Sequence, residues 1–342
     1  MSGTEKGKVG RRAFMAGAAA TGAVFSFAPY VKRAVGQDKT YIMGTNWKAQ
    51  AEHGGYYQAV AAGIYKDHGL DVEIRPGGPQ VNHPQLLAAG KIDFNMGSSC
   101  FTALNFVMID IPMLCVASVF QKDPQILMAH PGQGIETLDD VKGHKVLISK
   151  GARTQYWLWL KQAYGFTDDM IEPYTFNPGP FLADKSKVQQ GYLTSEPFAI
   201  EREGGFVPKV FLLADAGYET YSTTIETSKK LVAENPDVVQ RFVDATILGW
   251  VEYLHGDNFA ANELIKKDNP DMGEEQIAFS IEKLKEYGIV ESGDALKLGI
   301  GAMTDERWKS FFDFAVKAEV YPADMAYQSA YSLEFINKGV GL

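Results

Sequence analysis

The chain has 342 residues, 46% of them hydrophobic and 22% charged, and a formal net charge of −9. That balance suits a globular protein long enough for two cores and excludes disordered and low-complexity classes. No apolar run inside the body reaches the roughly 18 residues a membrane helix needs, and two cysteines with six scattered histidines give no zinc-ligand spacing.

The first 36 residues stand apart. Lys6, Lys8, Arg11 and Arg12 form a basic start, residues 13–28 are small and apolar, and Ala34-Val35-Gly36 supplies the small residues that precede a signal-peptidase cut. The pair in "GRRAFMAG", with Phe14 two positions after Arg12, resembles a twin-arginine export signal. Cleavage near Gly36-Gln37 and a periplasmic protein are therefore expected; an uncleaved basic anchor is the alternative, poorly matched by so short and weakly apolar a segment. The segment holds six of the 33 Lys and Arg and one of the 42 Asp and Glu, leaving about −14 on the remainder. A surface that acidic repels phosphate backbones, so no nucleic-acid partner is expected.

From Thr40 the elements alternate. "TYIMGTN" reads as a strand, residues 56–68 as a helix stopped by Gly69, "LDVEI" as a strand, residues 80–89 as a helix closed by Gly90, and "IDFNMG" as the next strand, followed by β-like runs at 111–119 and 125–130. This order predicts a mostly parallel sheet covered on both faces. After Pro131 the pattern restarts: a short helix at 138–141, strand "KVLIS" at 145–149, a helix over 153–164, strand "EPYTF" at 172–176, a helix over 181–190, and strand "KVFLLA" at 209–214. Beyond Thr227 the chain is nearly all helical, with start signals at Asn235-Pro236-Asp237 and Thr304-Asp305-Glu306. The fold class is thus α/β and bilobed, with residues 37–125 and 220–342 in lobe 1, 126–219 in lobe 2, and two chain crossings as the hinge. Ligands of open α/β sheets sit beyond the carboxyl ends of the strands, so the cleft between the lobes is the expected site.

Four stretches, "NWKAQAEHGGYYQAVAAGIYKDHGLDVEI", "QLLAAGKIDFNMGSS", "LDDVKGHKVLISKGAR" and "TSKKLVAENPDVVQRFVDATILGWVEYL", carry a likeness. In order, and over essentially the whole chain after residue 36, it resembles the periplasmic solute-binding proteins of ABC importers. The branch is the one that takes up nitrate, taurine, sulfonates and thiamine-pyrimidine precursors, and it shares its fold with the yeast-type thiamine pyrimidine synthase. The resemblance implies a type II periplasmic-binding-protein fold with a two-strand hinge, a small-molecule ligand, ABC importer membrane subunits as partners, no cofactor or metal, and a monomer. It also implies a binder rather than an enzyme. The synthase's lysine–histidine pair and cysteine-rich run have no counterpart in "GSSCFTALN" or "GYETYST".

The candidate site residues follow from both readings. Glu52-His53-Gly54-Gly55 has no nucleophile or metal ligand nearby in sequence, and in the loop after the first strand it reads as a binding mouth. Asn46, Trp47, His53, Gly54, Tyr56 and Tyr57 are the expected contacts there, the glycines admitting a ligand to the backbone and the aromatics stacking on it. Gly97, Ser98 and Ser99 open the next helix, and Arg153 and Thr154 do the same from lobe 2, offering N–H and hydroxyl donors. Asn177 lies in the turn "FNPGPF", and Tyr218 and Tyr221 are candidate aromatic walls. Glu196, in "YLTSEPFAIE", lies where the related proteins present a side chain to their ligand. A carboxylate there accepts two N–H bonds from an aminopyrimidine and repels a sulfonate or nitrate, unless Arg153 pairs with it. The expected solute is heteroaromatic and thiamine-pyrimidine-precursor-like, with a sulfonate or other organic anion as the alternative. Each of these residues also has a plainer reading as a cap, a turn or a core aromatic. Cys100 and Cys115, in apolar surroundings, are expected to be buried and unbonded.

Overall fold

Two five-stranded sheets organise the computed structural model, which describes residues 39–342 apart from Pro79. The strands, in chain order, are β1 (Thr40–Gly44), β2 (Asp71–Arg75), β3 (Phe94–Ser99), β4 (Met113–Phe120), β5 (Gln125–Ala129), β6 (Val146–Ile148), β7 (Ile171–Pro173), β8 (Val188–Tyr192), β9 (Lys209–Leu212) and β10 (Ser222–Ser228). The first lobe has the order β2-β1-β3-β10-β4 and the second β7-β6-β8-β5-β9. The export-signal reading falls on residues outside those described.

Both sheets are mixed rather than mostly parallel. β1 runs parallel to β2 and β3, but β10 is antiparallel to β3 and β4. In the second sheet β6 is parallel to β7 and β8, and β5 is antiparallel to β8 and β9. The path of the chain explains this. It leaves the first sheet at the end of β4, builds the second sheet, and returns with Ser222 paired beside Phe120, so β10 must run back against β4. The crossings are residues 121–124 and 213–221. Arg307 pins them together: its guanidinium donates to the carbonyls of Gln121, Thr220 (2.9 Å) and Glu219 (3.3 Å), and lies 4.2 Å from the Tyr221 ring centroid.

Helices cover the sheets. α1 (Gly54–Ala61) and α2 (Ile64–Asp67) replace the single helix expected over 56–68, because Gly63 takes a left-handed φ of 75°. α3 (His83–Ala88) and α4 (Cys100–Met108) complete the first half. The second lobe carries α5 (Tyr156–Tyr164), α6 (Gly179–Ala183) and α7 (Glu196–Gly204). The helical tail is α8 (Lys229–Glu234), α9 (Pro236–His255), α10 (Phe259–Asp268), α11 (Glu274–Glu286), α12 (Ala295–Leu298) and α13 (Asp305–Lys317). The helix expected over 181–190 is α6 followed by β8.

The first core forms around α9, whose buried Val239, Phe242, Val243, Thr246, Trp250 and Tyr253 recur at helical spacing. Phe242 stacks on Phe94 of β3 at 3.7 Å between centroids. Gly54 and Gly55 let α1 lie directly on α9: a Cβ at Gly54 would come within 2.0 Å of the Tyr253 ring, and one at Gly55 within 2.2 Å of the Trp250 ring. Cys100 and Cys115 are buried and unbonded. No helix among the described residues is long and apolar enough to cross a membrane.

Candidate functional site

A cavity of about 240 Å³ lies between the two lobes, lined from both. The loop after β1 contributes Asn46, Trp47, Gln50 and Glu52, and β3 contributes Met96 and Ser98. Asp123 and Gln125 come from the first crossing and the start of β5. Gln155, Phe176, Gln190, Gly191, Tyr192, Ser195 and Glu196 come from the second lobe. Larger depressions of about 350 and 470 Å³ flank Tyr218 and Glu219 at the hinge, and one of about 610 Å³ lies between α10 and α11. None of those three touches the ends of β1, β3 or β8, where an α/β sheet presents its ligand loops.

Aromatic faces meet across the cleft. Trp47 of the first lobe and Phe176 of the second lie 5.6 Å apart between ring centroids, tilted by 41°. Phe176 is more than half exposed and holds a φ of 62°, a left-handed conformation that is a strained choice for an aromatic residue. Asn46 donates to the Ser98 hydroxyl at 2.9 Å.

Three carboxyl groups face the same space. Glu52 is fully buried; its Oε1 accepts from the hydroxyls of Thr194 and Ser195 (3.3 Å) in the other lobe, while Oε2 has no partner. Asp123 accepts from the Gln125 amide at 2.9 Å. Glu196 accepts from the Tyr192 amide at 2.7 Å and from the Tyr174 hydroxyl at 3.5 Å. Burial, which disfavours the charged form, pushes Asp123 and Glu196 up to about 7 and raises Glu52, against the opposing pull of these hydrogen bonds.

Of the residues expected from sequence, Asn46, Trp47, Ser98 and Glu196 line the cavity. The others do not, for identifiable reasons. The turn of α1 carries its side chains onto α9 and α10. Tyr56 packs edge-on against Trp250, Tyr57 donates to Asp268 at 2.9 Å, and Gly54 accommodates Tyr253. His53 is fully buried with both ring nitrogens unpartnered, and burial followed by repulsion from His83 drives its pKa down to about 3. Alternation along β3 turns Met96 and Ser98 to the cavity and Gly97 to the opposite face, where a Cβ would meet Glu226 Oε1 at 1.8 Å. Ser99 is likewise buried, with its hydroxyl unpartnered. A single helical turn at 152–154 leaves Arg153 and Thr154 exposed, and Gln155 takes the lining position. Asn177 closes its own turn onto the Gly179 amide at 2.8 Å, so Phe176 faces the cleft instead. Tyr218 packs against Trp159 (5.4 Å) and Phe311 (6.3 Å), and Tyr221 accepts from the Thr304 amide at 2.9 Å; the second crossing buries both. Among the described residues no group of three or more His, Cys, Asp or Glu is placed to hold a metal ion.

The missed lining residues cluster where the element reading failed. Gln190, Gly191 and Tyr192 sit on β8, expected to be the end of a helix and its following loop, and Asp123 and Gln125 sit at the first crossing. The polar run "QKDPQ" between two apolar strands was the available signal.

Two mixed sheets, a double-crossing hinge and a cavity at the strand ends define the periplasmic-binding-protein fold. The aliphatic sulphonate binding protein SsuA from Escherichia coli has it: 15% identity, TM-score 0.63, with 85% of this chain and 91% of that one covered. So does the desulfurization enzyme DSZB, at 12% identity and TM-score 0.57, covering 87% of this chain and 97% of the other. Among curated proteins, the riboflavin-binding protein RibY of Chloroflexus aurantiacus is 22% identical over 294 residues, 83% of this chain and 82% of that protein. Residues 50–257, more than half of the chain, match the family described as NMT1/THI5 like, and the chain belongs to that family.

Proposed function

We propose that this protein is the extracytoplasmic solute-binding component of an ABC importer and captures a small heteroaromatic solute between its lobes. The observation that carries the reading is the cavity built from both lobes at once, with Trp47 of one lobe and Phe176 of the other meeting at its wall. A solute that touches both lobes favours the closed form over the open one, and that differential affinity is what importer membrane subunits can read. The reading has it act as a monomer in the periplasm, after removal of residues 1–36.

A volume of about 240 Å³ lies just below the usual range for ligand pockets and favours a compact solute of the thiamine-pyrimidine-precursor type. The cavity's lining contains no lysine, arginine or histidine, which disfavours a sulfonate. It contains no cysteine either, and burial pushes the Cys100 thiol up to about 11 and raises the Cys115 thiol well above its ordinary value. No activated nucleophile faces the solute, which supports binding over catalysis.

A thermal-shift screen of residues 37–342 against aminopyrimidines, riboflavin, other heterocycles, sulfonates and nitrate tests this. A true ligand at about 100 times its dissociation constant adds roughly 2.7 kcal/mol of stability. A clear rise in melting temperature with a compact nitrogen heterocycle is expected. A rise confined to sulfonates or nitrate would overturn the ligand class, and no rise with any compound would count against the binder.

A further inference from the structure

We infer that the solute carries a positive charge, held by the carboxyl groups of Glu52, Asp123 and Glu196 against the faces of Trp47 and Phe176. The inference rests on the interlobe cavity being the solute site. Three observations carry it.

The carboxyls come from separate elements, the loop after β1, the first crossing and the start of α7, yet they converge on one cavity that no cationic side chain enters. None of the ion pairs among the described residues involves any of the three. Their hydrogen bonds hold the groups in place without neutralising them, since the donors are amides and hydroxyls.

Glu52 adds a second, independent sign. Its side chain is fully buried, and Oε1 is tied to the opposite lobe through Thr194 and Ser195, while Oε2 has no partner at all. A buried, unsatisfied carboxyl oxygen is costly, and a donor delivered by the solute is what would satisfy it. Because Oε1 already spans the cleft, a cation at Oε2 would strengthen a contact between lobes as well as fill the cavity.

The aromatic pair fits the same charge. Trp47 and Phe176, in contact at 5.6 Å between centroids, form one aromatic wall of the cavity, and the electron-rich face of either ring attracts a cation more strongly when water is excluded. An anion would face three acidic groups and no cationic side chain. The solute class is therefore a compact heteroaromatic cation: an N-alkylated ring, an amidinium or a protonated aminoheterocycle.

Isothermal titration of residues 37–342 at pH 7.5 with matched sets of one ring system in three charge states tests this. Nicotinate, nicotinamide and 1-methylnicotinamide form one set; a neutral aminopyrimidine, its N-methylated cation and its carboxylate form another. The cation should bind at least ~10-fold more tightly than its neutral partner, and the anion should not bind. Glu52→Gln, Asp123→Asn and Glu196→Gln should each weaken the cation by about tenfold, and by more than they weaken its neutral partner; circular dichroism confirms that each variant is folded. A preference for the neutral or anionic member overturns the charge inference and leaves the cavity reading standing. So does a cation preference that no carboxyl variant alters. Binding unaffected by Trp47→Ala and all three carboxyl variants, or no binding by either set, overturns the cavity reading together with the inference.

Discussion

Trp47 and Glu196 are two of the four expected residues that line the cavity, with Asn46 and Ser98, and each has a separable role. If Trp47 supplies a stacking face, Trp47→Ala weakens the solute by about 1–3 kcal/mol, the range of an aromatic contact residue, without changing the melting temperature of the free protein. Titration of wild type and variant with the best compound of the screen checks this, and equal affinities would remove Trp47 from the site. Glu226, on the far face of the same sheet, makes a different prediction. It is fully buried between Asn95 and Thr224, and burial raises its pKa from 4.5 to about 8. The folded state then keeps a proton that the unfolded chain releases between about pH 4.5 and 8. Stability is full below that window, declines as pH rises through it and levels off above it. Asp123 and Glu196 act with the same sign up to about 7. Glu226→Gln removes one of these titrations, so its melting temperature should vary less between pH 5 and 8 than the wild type's; equal slopes would place the sensitivity elsewhere. What was legible at this scale was chemical type. A tryptophan after a strand end and a carboxylate at a helix start could be picked out, whereas the direction a side chain takes depends on partners far away in sequence. His53 and Tyr56 were misplaced for that reason: α11 packs on the turn that carries His53 and α9 on the helix that carries Tyr56, both some 200 residues later.

At the scale of elements, α1 and α9 show why a Gly-Gly pair is ambiguous in sequence. Close approach to a ligand and close approach to another helix demand the same missing Cβ, and here the second demand applies. Gly55→Ala should therefore destabilise the protein by about 1–3 kcal/mol through overpacking against Trp250. Solute affinity of the folded fraction should be unchanged. A variant that keeps its melting temperature and loses affinity would restore the ligand-mouth reading. The strands that went unrecognised, β8 and β10, are central and buried, yet they consist of Val-Gln-Gln-Gly-Tyr and Ser-Thr-Thr-Ile-Glu-Thr-Ser. Polar side chains such as Glu226 and Gln190 are held there by Asn95 and the Ser149 amide, and with so many polar residues no hydrophobic alternation marks these strands. Strands with apolar patterning, such as β4, and helices with start signals, such as α9 opened by Pro236 and α13 capped by Thr304, were readable because those signals lie within the segment itself.

For the whole molecule, the bilobed plan was visible in the restart of the α/β pattern after Pro131. The mixed strand directions were not, because they follow from the return of the chain at Ser222 and not from any one segment. That return also makes the site: it brings both crossings beneath Arg307 and sets the loops of the two sheets opposite one another across a cavity of about 240 Å³. The central claim is that this space holds the solute. The structure of the protein with the best compound of the screen tests it most directly. The account predicts the ring packed against the aromatic wall of Trp47 and Phe176 with a nitrogen within hydrogen-bond distance of Glu196; a solute seated instead in the hinge depression beside Tyr218 and Glu219 would contradict it.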